Sequence, residues 1–516
     1  MLNRKLMRFV VTVLVLACVA NLGGCKKIKD NSSDSNVVTN SESNNNGSVE
    51  YSAKGNNESF EISAEDKAIY DSLFDLESDI RVYVDITEEE LAKIEEDYTV
   101  YERKGSKSPI YRMCNLTIEI NGDKHVIEEV GVRMKGNTSR DHFYDESSGV
   151  YNLIHLKFSF DETFDDENYY GEDAKVWESE ADRQARKDRK FASLNGLEMK
   201  WNSTFDATYL RETYAFRMYR DFGVLAPLNN ISQCKVNDTN WGIFRIYEPV
   251  DKVFIKRNLP SESWDGDLYK CTWGSGPACY ANIFRNAGVD DADNREFYTY
   301  DLKTNKTSSN HEQLNELANV ISSPLLGIEE LEQVVDTKSW AMFSAVSYML
   351  GMPDDLRNNY NNHYVYFRKD TNQAVFIAYD CDIAMGISRW NPTGNFMVKS
   401  DPYSEFAYGA SGKNNNPLVL KTLTKGGLLE KEYTEALNEV VNSKWFDFST
   451  FEEMYNKMAD KYSSVAIPAL NLKEDDVNEF EMSLDDKYST SGLDNKNMPV
   501  KEYMEKMVTN CKSYIE

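Results

Sequence analysis

Apolar and polar positions alternate with period two in several stretches, as they do in half-buried strands. Asp79 to Ile86 (DIRVYVDI) is one such stretch. Cys114–Ile120 and Lys124–Met134 alternate on either side of Asn121-Gly122-Asp123, the residue types of a tight hairpin turn. Leu153–Phe160 (LIHLKFSF) alternates again. Ile231–Val236 and Gly242–Tyr247 flank a turn at Asn237-Asp238, and Asn362–Phe367 and Ala374–Tyr379 flank one at Asp370-Thr371-Asn372. Helical spacing appears in Glu65–Leu76, through Ala68, Ile69, Leu73 and Leu76. It appears again in Ala207–Phe222, through Leu210, Tyr214, Met218 and Phe222, with Gly223 placed as a C-cap. Thr87-Glu88-Glu89-Glu90 reads as an N-cap followed by an acidic first turn. Trp340–Met349 is an apolar helix, Glu178–Lys190 a solvated helix or loop, and the chain from Pro417 onward mainly helical. Strands, a helix, more strands and then a largely helical half with one embedded hairpin predict an α+β fold.

The N-terminus is different in kind. Arg4, Lys5 and Arg8 precede an apolar run from Phe9 to Ala20, followed by Leu22-Gly23-Gly24-Cys25. A basic end, a short apolar core and small residues describe an export signal. The run is shorter than the ~20 residues of a membrane span, although an uncleaved anchor helix is the alternative. The Leu-Gly-Gly-Cys ending resembles a lipobox, which implies a signal over residues 1–24 and a lipid on the Cys25 sulfur. Residues 25–58 are rich in Ser, Asn, Asp and Gly and hold almost no large apolar side chain, so they are expected to form a disordered tether. No internal repeat or second low-complexity linker follows, so residues 59–516 are read as one elaborated domain.

A net charge of −27 argues against attraction to nucleic acid or anionic membranes, leaving the lipid as the only membrane contact. It suits a basic, Ser-rich protein partner. Eight cysteines and five histidines form no CxxC, HxxxH or HExxH spacing, which excludes the common zinc motifs. Cys271 and Cys279 bracket a Gly/Pro-rich turn and are either a local disulfide or two free thiols.

Three clusters carry candidate chemistry. In Val130–Arg140 (VGVRMKGNTSR), Arg133 and Lys135 alternate along a strand that ends in a Gly/Asn/Ser turn, able to aim cations and N–H groups at phosphate. An ordinary hairpin end is the plainer reading. The second cluster is Asp354-Asp355-Leu356-Arg357-Asn358-Asn359 and the third Tyr379-Asp380-Cys381-Asp382. One β-hairpin joins them, so their carboxylates are expected to lie close enough to hold a divalent cation or to divide into base and metal ligand. Asp354 and Asn359 stand at i and i+5, the interval of the base and the metal-binding Asn in a kinase catalytic loop. The later element reads Asp-Cys-Asp rather than Asp-Phe-Gly. Aspartates as turn residues and helix caps are the alternative.

The set KGNTS at 135–139, Leu210-Arg211 after Asp206, GIFRIYEPVD at 242–251, LYKC at 268–271, RNNYNNHYVYF at 357–367 and YDCDIAMG at 379–386 resembles the CotH (spore coat protein H) family of atypical protein kinases. The resemblance is best over 80–390, with a helical C-terminal part over 391–516. It implies a divergent protein-kinase-like, two-lobed fold and transfer of phosphate from ATP, with Mg²⁺ or Mn²⁺, to Ser or Thr of a surface or coat protein. Asp354 or Asp355 would be the catalytic aspartate, and Asp380, Asn359 and Asp382 the metal shell. Lys157 or Lys135 would contact phosphate. Ile246-Tyr247-Glu248 would form the hinge beside adenine, and Lys270 would line the pocket. Two other readings compete: a non-catalytic surface or coat-assembly protein on the same fold, and a carbohydrate-active surface protein, suggested by eight tryptophans and 31 tyrosines.

Overall fold

The structure, a computed structural model, describes residues 60–136, 139–145, 150–151, 153–204, 206–274, 276–281, 286–388, 396–404, 416–465, 481–486 and 497–516. The expected signal, Cys25 and the tether lie outside these residues, as do Asn137 and Thr138 of the KGNTS turn.

Seven strands close into a barrel: β1 (Ile80–Asp85), β2 (Arg112–Ile120), β3 (Asp123–Lys135), β4 (His155–Ser159), β5 (Gly196–Trp201), β6 (Asn229–Val236) and β7 (Thr239–Tyr247). Their order is β1-β2-β3-β4-β5-β7-β6, and a parallel pairing of β1 with β6 completes the ring. The β2–β3 turn is the expected one, with Asn121 and Gly122 both at positive φ, as a two-residue hairpin twist demands. Apolar residues at every second position fill the interior, among them Val82, Ile118, Val132, Phe158, Leu197, Met199 and Phe244. Helices α1 (Ala64–Leu73) and α2 (Glu88–Arg103) lie in the same N-terminal stretch, and Thr87 caps α2 by accepting from the Glu90 N–H.

A second sheet contains β8 (Leu268–Cys271), β9 (Ala287–Gly288), β10 (Tyr300–Leu302), β11 (His363–Phe367) and β12 (Ala374–Ala378), in the order β9-β10-β8-β11-β12. The hairpin foreseen in the C-terminal half is thus one edge of a five-stranded sheet. Its missing partners are strands of two to four residues, too short for alternation to register. The main core runs under this sheet into α4 (Thr337–Leu350), α5 (Glu430–Val441), α6 (Phe448–Tyr462) and α7 (Val500–Ile515), with α3 (Arg211–Asp221) reaching it from the barrel side.

One departure from expectation has a local cause. Helix α3 begins at Arg211 rather than Ala207, because the Asp206 carboxylate accepts from the Thr208 and Arg211 N–H groups and Tyr209 takes a left-handed φ. Cys271 and Cys279 are both free thiols: Cys271 points from β8 into the core, where its sulfur meets the Tyr280 hydroxyl at 3.7 Å. Helix α4 ends at Gly351 (φ +61), where any Cβ would stand 2.2 Å from the Tyr503 hydroxyl. That stop releases the chain into the Asp354 segment.

Candidate functional site

Register across four barrel strands assembles a row of charges. Arg133 in β3 pairs with Lys157 in β4, Lys157 with Glu198 in β5, and Glu198 with Tyr247 in β7; Lys200 of β5 lies opposite Arg245 of β7. Because side chains alternate, Leu197 and Met199 fill the barrel while Glu198 and Lys200 stand on its outer face. That face is covered. Glu198, Lys200 and Arg245 are 8, 5 and 3% exposed, so their charges persist only through pairing.

The pairing is specific. Lys200 is held between Asp380, to which it donates, and Glu212 at the start of α3, 3.2 Å from its Nζ. Glu212 also receives the Tyr247 hydroxyl at 2.5 Å and faces Arg245 at 3.5 Å. Asp380 leaves β12 in a left-handed conformation (φ +57), which an aspartate tolerates better than most residues. Burial alone would raise its pKa, but Lys200, with Lys135 and Lys270 beyond, holds the carboxyl well below the usual range. Burial opposes the Lys200 charge as well, yet Asp380 and Glu212 push its pKa well above that of a free lysine. Both partners stay ionised.

Around Glu198 the balance is different. Lys135 reaches it at 2.5 Å and Lys157 at 3.5 Å, and the Tyr379 hydroxyl donates to it at 3.3 Å. Burial disfavours the Glu198 charge, and Lys135, Lys157 and Lys270 outweigh it, so the carboxyl is held well below its usual range. Lys270, on β8, lies over the Tyr379 ring at 4.6 Å; burial pushes its amine down to about 7. Burial lowers the Lys135 amine too, with Lys200 adding repulsion. Three lysines thus crowd one carboxylate, with Lys107, Lys303 and Lys306 nearby. Such a surface, in a chain of net charge −27, favours a polyanion. A surface cavity of about 460 Å³, lined by Tyr111, Glu162, Asp165, Tyr170 and Arg183, meets this row only through Tyr111, over which Arg133 lies at 5.0 Å.

The β11–β12 ribbon brings the two acidic segments together, since His363 pairs with Ala378 and both flanks leave from that end. Asp354 accepts from the side-chain amides of Asn359 (2.5 Å), Asn361 (3.1 Å) and Asn362 (2.9 Å), the last directly preceding β11. The Met385 N–H donates to the Leu350 carbonyl at 2.7 Å, tying the segment after Asp380 to the end of α4.

The aspartate doublet is separated by packing. Asp354 is partly exposed, whereas Asp355 is buried, receiving the Ser347 hydroxyl and the Asn358 N–H. Burial raises Asp355 to about 6. This corrects the catalytic expectation for Asp355: its carboxyl fastens the turn from inside. Glu248 is corrected likewise. Its carboxylate accepts from Tyr70, Arg257 and the Leu228 N–H, and its own N–H goes to the Leu228 carbonyl, so it joins α1 to the barrel. Arg133 stands in the charged row, but its guanidinium donates to the Ser108 carbonyl at 3.1 Å and lies 5.0 Å over Tyr111. The Tyr247 ring lies under Lys200 at 4.7 Å. Asp382 lies where its charge reaches Arg245.

Lys200, Glu198, Glu212 and Arg245 were not singled out from the sequence. For Glu198 and Lys200 the local sign is GLEMKW at 196–201, where apolar residues alternate with charges; Glu212 follows Leu210-Arg211, and Arg245 lies within GIFRIYEPVD.

A divalent cation that accompanies ATP keeps most of its water and phosphate oxygens and needs one or two protein carboxylates. Among the described residues no cluster of three or more His, Cys, Asp or Glu side chains could cage a metal unaided. Asp380, Asp382 and Asn359 carry oxygen donors of the hard type such an ion takes.

A family model described as "CotH kinase protein" matches residues 132–516. No curated protein matches the chain. Among solved structures the chain is similar to the Helicobacter pylori proinflammatory kinase CtkA, with 10% identity, coverage of 62% of this chain and 86% of that one, and a TM-score of 0.27. It is also similar to the Shewanella oneidensis MR-1 toxin–antitoxin system HipA, HipB and its operator DNA complex, with 10% identity, coverage of 62% and 58%, and a TM-score of 0.26. Likenesses this distant carry no residue-level argument.

Proposed function

The chain belongs to the CotH kinase family, and from that premise we propose that it is an ATP-dependent atypical protein kinase, two-lobed like other kinases, acting on Ser or Thr hydroxyls of a surface or coat protein. The observation that carries this reading is the buried Lys200 held between Asp380 and Glu212, beside a patch with three lysines to one carboxylate. Phosphoryl transfer asks for alignment and charge neutralisation more than covalent chemistry. Lys200 and the lysines around Glu198 offer fixed positive charge to phosphate oxygens. Their ion pairs keep them in place before nucleotide arrives, so little reorganisation accompanies binding. Asp354, oriented by three asparagine amides, would accept or orient the proton of the acceptor hydroxyl. Asp380, Asp382 and Asn359 would hold Mg²⁺ or Mn²⁺, which when bound neutralises phosphate charge.

Labelled ATP, Mg²⁺ or Mn²⁺ and a Ser/Thr peptide library test the activity directly. Incorporation favouring basic over acidic peptides supports a basic acceptor, and equal incorporation removes that part. A non-catalytic coat protein would give no incorporation with any peptide. A carbohydrate-active protein would act on polysaccharide independently of Asp380.

Lys270 makes the binding pH-dependent. Its amine, pushed down to about 7 by burial, must be protonated to meet phosphate, so nucleotide binding takes up a proton. Mg·ATP affinity is therefore expected to weaken as pH rises through 7. Lys270→Met should lower affinity at pH 6 and flatten the profile. Calorimetry across pH 6 to 9 measures both; superimposable wild-type and variant profiles would contradict the role.

We also place the protein outside the cytoplasm, tethered by a lipid on Cys25. Leu22-Gly23-Gly24-Cys25 after a short apolar run supports this. Metabolic labelling with a radioactive fatty acid should mark the chain and not a Cys25→Ser variant. Label retained by that variant would place the anchor elsewhere.

A further inference from the structure

Residues 272–274 and 276–280 cross the Asp354 loop like a strap. The Trp273 indole N–H donates to the Asn359 carbonyl at 2.6 Å, and the Trp273 backbone N–H donates to Asn361 Oδ1 at 3.2 Å. The Ala278 N–H donates to the Tyr360 carbonyl at 3.0 Å, and the Tyr280 hydroxyl meets His363 Nε2 at 2.8 Å. Asn361 and Asn359 are the residues whose amides reach Asp354. Two bonds therefore connect the Trp273 backbone to the candidate base, through Asn361.

The loop needs such support. Tyr360 and Asn362 sit at φ +56 and +46, conformations that persist only where surrounding contacts over-determine them. The strap is itself closely fitted: a Cβ on Gly274 would stand 2.6 Å from the Tyr298 carbonyl group. Yet Trp273 remains 48% exposed. Its edge is fixed by the indole bond while much of the ring stays open to solvent, which makes a rigid aromatic surface beside the candidate base.

We propose that Trp273 is a positioning residue for Asp354 and that its exposed indole face receives the polypeptide acceptor next to the phosphorylated hydroxyl. This deepens the kinase reading and rests on it for the role of Asp354. The two parts separate cleanly by substitution. Phe keeps an aromatic face and loses the donor to Asn359; Ala loses both.

Steady-state kinetics with labelled ATP and one peptide chosen from the Ser/Thr library provide the test, with Mg·ATP affinity measured in parallel. Trp273→Phe is expected to lower kcat about tenfold with peptide KM unchanged, the size of one lost orienting bond. Trp273→Ala should show the same kcat loss and a peptide KM raised about tenfold, as an aromatic contact is removed. Mg·ATP affinity should fall by less than kcat in both, since the substitutions release only the Asn359 carbonyl and leave the lysine face intact. Wild-type kcat in Trp273→Phe overturns the positioning role. Equal peptide KM in both variants overturns the acceptor contact, and a parallel loss of Mg·ATP affinity overturns the proposal as a whole. If the wild type transfers no phosphate at all, the kinase reading fails separately. Amide exchange over 354–362 then still decides the strap: faster exchange in Trp273→Phe upholds it and unchanged exchange ends it.

Discussion

Asp380→Ala will reduce phosphoryl transfer by about a thousandfold or more while leaving the protein folded. The carboxylate is held ionised by Lys200 at the end of the β11–β12 ribbon, with Lys135 and Lys270 beyond. Alanine removes the candidate metal ligand and one of the two anions that fix Lys200. The fold survives because Lys200 keeps Glu212 at 3.2 Å, so no buried charge is left wholly unpaired. Incorporation of labelled phosphate measures the effect, with near-UV circular dichroism checking the fold. Incorporation equal to wild type would refute the assignment.

Lys200→Met has the second large effect, and it differs in kind. Methionine matches the length of lysine but leaves Glu212 and Asp380 facing each other without the cation between them. Breaking a buried pair from the side of its shared partner costs about 3–5 kcal/mol, so this variant should melt well below Asp380→Ala. Transfer should also fall about a hundredfold or more, because the fixed positive charge toward phosphate is gone. Thermal unfolding and the transfer assay read the two losses independently. A Lys200→Met protein as stable and as active as wild type would mean that Lys200 only fills space.

What the chain reveals on inspection follows from how local each signal is. The β2–β3 hairpin was legible because Asn121-Gly122 and the alternation around it are all contained in a short window. The convergence of 354–362 with 379–382 was legible for the same reason, one hairpin being enough to deduce it. Barrel closure was not, because β1 and β6 pair in parallel from distant parts of the chain. Without closure, Glu198 and Lys200 look like the solvated face of a surface strand. Only the register Arg133–Lys157–Glu198–Tyr247 and the sheet that covers it make them buried. Lys135 and Lys157 lie within strands that alternation marks, and the resemblance implies their phosphate role; Lys200, which meets Asp380, lies in GLEMKW, too short an alternation to mark a strand by itself. Asp354 and Asp355 are chemically identical neighbours. Their roles part only when Ser347 and the Asn358 N–H draw one carboxyl inward.

The most direct test is a crystal structure of the protein with Mg²⁺ and a non-hydrolysable ATP analogue. Phosphate oxygens should lie within hydrogen-bond distance of Lys200 Nζ, the ion should bind the Asp380 carboxylate, and the γ-phosphate should point toward Asp354. A nucleotide seated away from the outer face of β5, or an ion that does not touch Asp380, would contradict the account.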